Sequence, residues 1–510
     1  MAQGSGTGGI PGGDAPPGGP PPGEPRLLHE ALGLPAITFQ GITHMAPAAG
    51  VMLSAPFIAT FAGPALGLAF GLAGIVALIL ASSVGQMARH IPSAGGYFTY
   101  IGRGLNPKLG FLAAWMYFVY DPIVPVLCTT IIGLFVEETL KSLYGITFPW
   151  WVFSLIVWVG LGIITYVGIK PSIRVSILLS VIEVGITLAL SFTIFAKHGI
   201  SGHDVAAGFT LQQVPVDPAP RGLFLAMVFS VLAYTGFEAT ASLAEETRDP
   251  RRNVAIAAVL GTALILVYYV LFGFATSVGF GVDRMASDFA VTANPYYVIA
   301  RSVWGKAGTI IVLLALVNSG WGCSLAGQNA VVRVYYKMGK VGVLPRALGR
   351  LHPKYRSPHI AIAFQTVVSV VIGIITGIIL GPAMTFGVFG AMITFGMIFV
   401  YGCGLVTVTV MYLRDHRDEF NPLIHVVLPA IGMVMLLAIL YYNVKPFPPF
   451  PFNIAPITVI CWFVVGVIVV WWLSRSRPRE LDEGAREIFA DVEDEPRLGG
   501  LGDVVATPEP

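Results

Sequence analysis

Charge is scarce in this chain. Only 11% of its 510 residues are Asp, Glu, Lys or Arg, and 55% are hydrophobic. Ordinary soluble domains carry about 25% charged residues, so a water-soluble globular protein is excluded. Cysteine is also rare. Cys128, Cys323, Cys403 and Cys461 each stand alone in an apolar stretch. That argues against a disulfide framework, gives no metal-ligand spacing, and leaves them as small packing residues. Residues 1–25 are rich in Gly and Pro and lack an apolar core, so no secretory leader is expected there. Gly4-x-Gly6-x-x-Gly9 fits a dinucleotide pattern, but no strand precedes it and the segment is low-complexity. No nucleophile–base pair or metal cluster stands out, so neither an enzyme nor a cofactor is expected. The net charge of +2 is scattered through short loops and offers nucleic acid no patch.

What the chain has in abundance is long apolar runs. Twelve of them fall near 36–61, 63–86, 108–136, 149–168, 172–196, 222–245, 253–281, 307–335, 358–380, 384–412, 422–442 and 454–474. About 20 apolar residues span a bilayer as a helix. The runs do not alternate as barrel strands would, so helix is the only reading. The expected protein is all-α and membrane-embedded, with twelve transmembrane helices over 31–476. Gly/Pro-rich residues 1–30 and acidic residues 477–510 form disordered cytoplasmic tails. Lys and Arg lie between the runs or at their ends. With the N-terminus placed inside, 23 of the 30 basic residues fall on the cytoplasmic side. That excess predicts two cytoplasmic termini in a plasma (inner) membrane, and an even number of spans requires the termini to share a side.

Against this background three carboxylates, Asp121, Glu183 and Glu238, lie well inside runs. A charge at the bilayer centre costs roughly 2.5–3.5 kcal/mol on the gentlest scale. Such acids face a bundle interior or a polar path, and they are the first functional lead. Two runs are also interrupted. The first reads His44-Met45-Ala46-Pro47-Ala48-Ala49-Gly50 and the sixth Ala233-Tyr234-Thr235-Gly236-Phe237-Glu238. Proline removes a backbone donor and disturbs the preceding turn. Breaks at matching places in spans 1–5 and 6–10 predict a five-plus-five inverted repeat, with helices 1 and 6 broken and spans 11 and 12 added. Glycines spaced by four, at 63/67/71 and 373/377/381, predict close helix approach.

Four stretches resemble the amino acid–polyamine–organocation superfamily of transporters. They are Ile91-Pro92-Ser93-Ala94-Gly95-Gly96-Tyr97-Phe98-Thr99-Tyr100; Gly236-Phe237-Glu238 followed by Glu245-Glu246-Thr247-Arg248-Asp249-Pro250-Arg251-Arg252-Asn253; Arg333 through Pro345 to His352-Pro353; and Gly168-Ile169-Lys170. The resemblance implies the leucine-transporter-like fold. It implies a substrate held where broken helices expose backbone dipoles, carboxylates at N-terminal ends and cations at C-terminal ends. By position, Ala48, Ala49 and Gly50 take a substrate carboxylate, and Ala233, Tyr234 and Gly236 help hold an amine. Phe237 either closes over the substrate or simply packs. Where many members carry Gly-Ser-Gly, this chain has Ala48-Ala49-Gly50 and no hydroxyl.

The same resemblance places Glu183 where several proton-coupled relatives carry a lysine on span five that is proposed to cycle a proton in place of a sodium ion. Glu183 then either couples transport to protons or hydrogen-bonds backbone. Glu238 matches a family acid and either couples or caps freed N–H groups. Asp121, between two disturbing prolines, either selects for an amine or satisfies freed backbone. His44 is a second candidate selectivity residue or a packing residue. Ser319 and Ser324 are candidate cation ligands should sodium be the coupling ion. The expected function is secondary active transport of an amino acid or related amine by alternating access, coupled to protons. The alternatives are an exchanger, a sodium symporter or, in a different class, a transporter-like nutrient sensor. The acidic C-terminal tail is poor in the apolar residues a signalling tail needs. Oligomeric state is left open.

Overall fold

A computed structural model describes residues 33–91, 96–167, 172–341, 344–355 and 357–476. Both tails lie outside the described residues. So do positions 92–95, 168–170 and 342–343 of the resemblance motifs and the side chains of Glu245 and Glu246. Twelve helices are long and apolar enough to cross a membrane. They are span 1 (Leu34–Ala62), 2 (Leu66–His90), 3 (Pro107–Tyr144), 4 (Trp150–Val167), 5 (Ile177–His198), 6 (Ala219–Ala241), 7 (Pro250–Phe280), 8 (Pro295–Tyr336), 9 (His359–Ile379), 10 (Pro382–Arg414), 11 (Leu423–Val444) and 12 (Ile454–Arg475). The described residues contain no β-strand.

Both expected breaks are present. Span 1 is two helices, 1a (Leu34–His44) and 1b (Pro47–Ala62). Pro47 opens 1b, where its missing N–H costs nothing. Ala46 before it adopts left-handed φ 51°, ψ 73°, a conformation that costs a residue with a Cβ about 1–2 kcal/mol and that reverses the chain locally. The interruption is therefore at Met45–Ala46. Ala48, Ala49 and Gly50 lie in the first turn of 1b. Span 6 is helix 6a (Ala219–Tyr234), then Thr235 and Gly236 at φ 114°, then a 3-10 helix 6b (Phe237–Glu246). Only glycine reaches that φ without strain.

Span 3 carries a third discontinuity. Its helix stops at Met116, passes through a 3-10 turn at Tyr117–Val119, and resumes at Val124. Pro122 and Pro125 lack the N–H groups that would continue the ladder. The sequence pointed to a local disturbance there; the structure makes it a break beside Asp121.

The most extensive helix contacts join span 2 to 7, 1b to 6a, and 3 to 8. Each pair consists of equivalents in the two five-span repeats, as a pseudo-two-fold axis in the membrane plane requires. Spans 11 and 12 both pack on span 10. In span 3, 89% of the most apolar window is buried, against 22% in span 12. The outer spans present large apolar side chains such as Ile378, Val434 and Ile460 outward, as lipid contact demands. Two glycines of the span 9 stripe, Gly373 and Gly377, receive the rings of Trp158 and Trp150 from span 4. That stripe is packed within the bundle.

Candidate functional site

The break in span 1 creates a helix N-terminus inside the protein, whose first-turn N–H groups need partners. Each is accounted for. The Ala46 N–H donates to Thr43 O at 3.1 Å, and Pro47 has none. The Ala48 N–H interacts with the Glu183 carboxylate of span 5. The Ala49 N–H donates to Ser319 Oγ of span 8 at 3.0 Å. Gly50 N–H begins the helical ladder to Ala46 O at 2.6 Å. Glu183, 2% exposed, also interacts with the Ser319 hydroxyl and accepts from Asn318 Nδ2 at 2.7 Å. Three donors from two helices thus converge on one carboxylate, which bridges spans 1, 5 and 8.

The second break is capped in the same way. Gly236 N–H donates to Glu238 Oε2 at 3.0 Å, and Tyr401 Oη of span 10 donates to Oε1 at 3.2 Å. The two breaks touch: a Cβ on Gly236 would lie 2.9 Å from the His44 carbonyl carbon. Between them stands Tyr269 of span 7. Its hydroxyl lies on Met45 O and, at 2.9 Å, on Ala233 O. These are carbonyls at the C-terminal ends of 1a and 6a, and one hydroxyl proton serves one of them at a time.

Above the breaks lies a cavity. Its wall is built by the 1b side of span 1 (Ala49, Gly50, Leu53), span 3 (Val124, Leu127) and span 10 (Phe386, Ile393), with Ala233 from 6a. His44, Tyr120 and Thr235 form its floor. His44 Nε2 and Tyr120 Oη are 3.4 Å apart and their rings stack. No Asp, Glu, Lys or Arg lines it. Below the floor the bundle is filled. Phe237 packs against Tyr401 and Tyr97, with ring centroids 5.6 and 6.5 Å apart. Asp121 and Glu238 act on the hydroxyls of Tyr117 and Tyr120 there. One Asp121 carboxyl oxygen has no hydrogen-bond partner, although the residue is 5% exposed.

Residues 36–482 match the family described as amino acid permease. The chain belongs to the amino acid permease family. Among its relatives are the branched-chain amino acid permease of Bacillus subtilis (23% identical, covering 82% of this chain and 88% of the relative), the low-affinity putrescine importer of Escherichia coli K12 (23%, 80% and 86%) and the L-asparagine permease of the same bacterium (24%, 87% and 88%). The permease is thus a multi-pass membrane transporter of the amino acid and amine class, and not an enzyme.

Of the residues singled out from sequence, the permease gathers Ala49, Gly50, Ala233 and His44 on the cavity wall and floor. Ala48 faces Glu183 instead. Tyr234 turns away to donate to Phe70 O of span 2 at 2.9 Å. Gly236, Phe237 and Glu238 lie below the floor. Ser319 sits in the Glu183 network, whereas Ser324 is buried with no partner for its hydroxyl. Five residues along a helix turn a side chain by about 140°, so the two serines do not converge. Sequence reasoning missed Tyr269, whose only signal was its place in an apolar run. It also read the cysteines as separate packing residues. Cys128 and Cys323 both line the cavity and interact, while Cys461 is exposed on span 12.

Proposed function

We propose that this permease is a secondary active transporter of an amino acid or related amine. It works by alternating access in the plasma membrane, with both termini cytoplasmic, and is coupled to protons through Glu183. The observation that carries this reading is the convergence of Ala48 N–H, Ser319 Oγ and Asn318 Nδ2 on one buried carboxylate. An ionised carboxylate is acceptor-only, and three donors suit it. A proton arriving on either oxygen puts a donor where one of the three donors pointed, so that contact must weaken or, at the Ser319 hydroxyl, reverse. The link from 1b to spans 5 and 8 is then weakened. Protonation and the position of the broken helix are coupled through those bonds, which is what symport requires.

Alternating access is supported by the asymmetry about the floor. The cavity lies on the 1b and 6a side, and the 1a and 6b side is packed with aromatic rings. Movement of spans 1 and 6 against spans 3, 8 and 10 would exchange the two.

The test uses purified protein in liposomes. A pH gradient, acidic outside, should drive accumulation, and Glu183→Gln should abolish accumulation while leaving counterflow exchange measurable. Unchanged concentrative uptake in that variant retires Glu183 as the coupling group. Counterflow with no response to pH in the wild type identifies an exchanger instead.

A further inference from the structure

The transport reading leaves the substrate class open, and the two breaks narrow it. A zwitterionic amino acid needs donors for its carboxylate. In this fold they would come from the half-helix N-termini exposed at the breaks. Both ends are already occupied by the chain's own carboxylates. Glu183 takes Ala48 N–H at 1b, and Ser319, which itself interacts with Glu183, takes Ala49 N–H. Glu238 takes Gly236 N–H at 6b and interacts with its own N–H, and Ala239 N–H in the same turn is bonded to Gly236 O at 3.0 Å. A substrate carboxylate would have to displace one of the chain's own carboxyl groups and leave it buried without its donors, which is costly in a low-dielectric site.

No positive side chain offers an alternative partner. Among the described side chains no Lys or Arg is buried, whereas Asp121, Glu183 and Glu238 are. The polar groups on the cavity surface are the side chains of His44, Ser54, Tyr120, Cys128, Thr235 and Cys323. Of these, the Thr235 hydroxyl is spent on Leu232 O at 2.6 Å.

What the site holds in excess is carboxyl groups and aromatic surface. Asp121 sits next to floor residue Tyr120 and keeps an unpartnered carboxyl oxygen. Glu238 lies within electrostatic reach of it. The rings of Tyr117 and Tyr120 stand together, centroids 6.1 Å apart, beside both acids. Carboxylates flanked by aromatic faces are the chemistry that recognises an ammonium group. Walls made of Leu53, Val124, Leu127, Phe386 and Ile393 suit a hydrocarbon body.

We propose that the substrate is a cationic amine without a carboxylate, its apolar body in the cavity and its ammonium turned through the floor towards Asp121 and Glu238. This rests on the transport function proposed above and specifies its substrate class.

The test compares matched pairs that differ only by the carboxylate: isopentylamine against leucine, phenethylamine against phenylalanine, and butane-1,4-diamine against ornithine. Thermal shift on the purified full-length protein gives binding, and labelled uptake into proteoliposomes gives transport. At least one amine should bind at least about tenfold more tightly than its amino acid. Asp121→Asn should weaken that amine by a similar factor. Glu183→Ala, which frees Ala48 N–H, should narrow the gap by admitting the amino acid. An amino acid that binds as tightly as its amine overturns the proposal and leaves the transporter reading standing. Absence of binding and uptake for every pair overturns both. Unchanged amine affinity in a folded Asp121→Asn protein overturns the ammonium position. If that variant does not fold, the wild-type pairs still decide the substrate class.

Discussion

Gly50→Ala is expected to damage the permease far more than one methyl group suggests. A Cβ at that position would meet the Tyr269 hydroxyl head-on, with the ring Cζ at 2.8 Å and Met45 O at 3.0 Å. The ring cannot retreat freely, because Tyr269 is fully buried and lies against Tyr234 at 4.9 Å between centroids. Forced overpacking of this kind costs about 1–3 kcal/mol. Pushing the hydroxyl aside also leaves Met45 O and Ala233 O short of a donor, which adds about 1–3 kcal/mol. Expressed wholly in ligand affinity, a combined roughly 2–6 kcal/mol is a loss of about 30-fold to about ten-thousand-fold or more. Tyr269→Phe alone should show only the hydrogen-bond part. In the double variant Gly50→Ala/Tyr269→Phe the new methyl no longer meets an oxygen, so the two effects should fall short of additivity by about 1 kcal/mol or more. Thermal denaturation in detergent and saturable uptake in proteoliposomes give the four corners of the cycle. Wild-type stability and affinity in Gly50→Ala, or strict additivity, would refute the idea that glycine is there to seat Tyr269. Gly50→Leu, which fills the break outright, should abolish binding.

Other substitutions probe the same framework. Ser319→Ala removes the acceptor of Ala49 N–H and should cost about 1–3 kcal/mol in stability; a ligand-free melting curve matching wild type would contradict that. Gly236→Ala combines a left-handed φ of 114° with contact against His44 and should lower both stability and uptake, whereas Gly199→Ala, at φ 74° with nothing within 4 Å, should show the backbone cost alone. Small cationic thiol reagents should inhibit uptake through Cys128 and Cys323 and be slowed by bound substrate; Cys128→Ser/Cys323→Ser should be resistant, and full inhibition of that variant would place the reactive thiol elsewhere.

The two expected breaks show how local a signal must be to be legible. Pro47 and Gly236 announce them because each alters the backbone by itself. The sequence bounded the first one only to residues 44–50. In the folded chain the left-handed residue is Ala46, a residue whose own preference opposes that conformation, so tertiary packing sets it. Gly50 is needed for space rather than for φ. The span 3 break was half visible in Pro122 and Pro125. Capping by Glu238 and a backbone contact by Glu183 were each one of two readings open from sequence; that Glu183 meets Ala48 was invisible, because the two are far apart in sequence and meet only once spans 1 and 5 are docked.

Composition and run length alone determined that this chain is a twelve-span helical membrane protein, because a bilayer allows a long apolar segment no other way to satisfy its backbone. The chain also determined that three acids would be buried, since they lie inside those segments. Which donors each acid meets, that Tyr269 stands between the two breaks, and that Cys128 faces Cys323 were decided only by the packing of the spans. Helix formation is a local matter of hydrogen bonds four residues apart, whereas the partners of a buried polar group are set by the register and rotation of helices against one another, which no single span encodes.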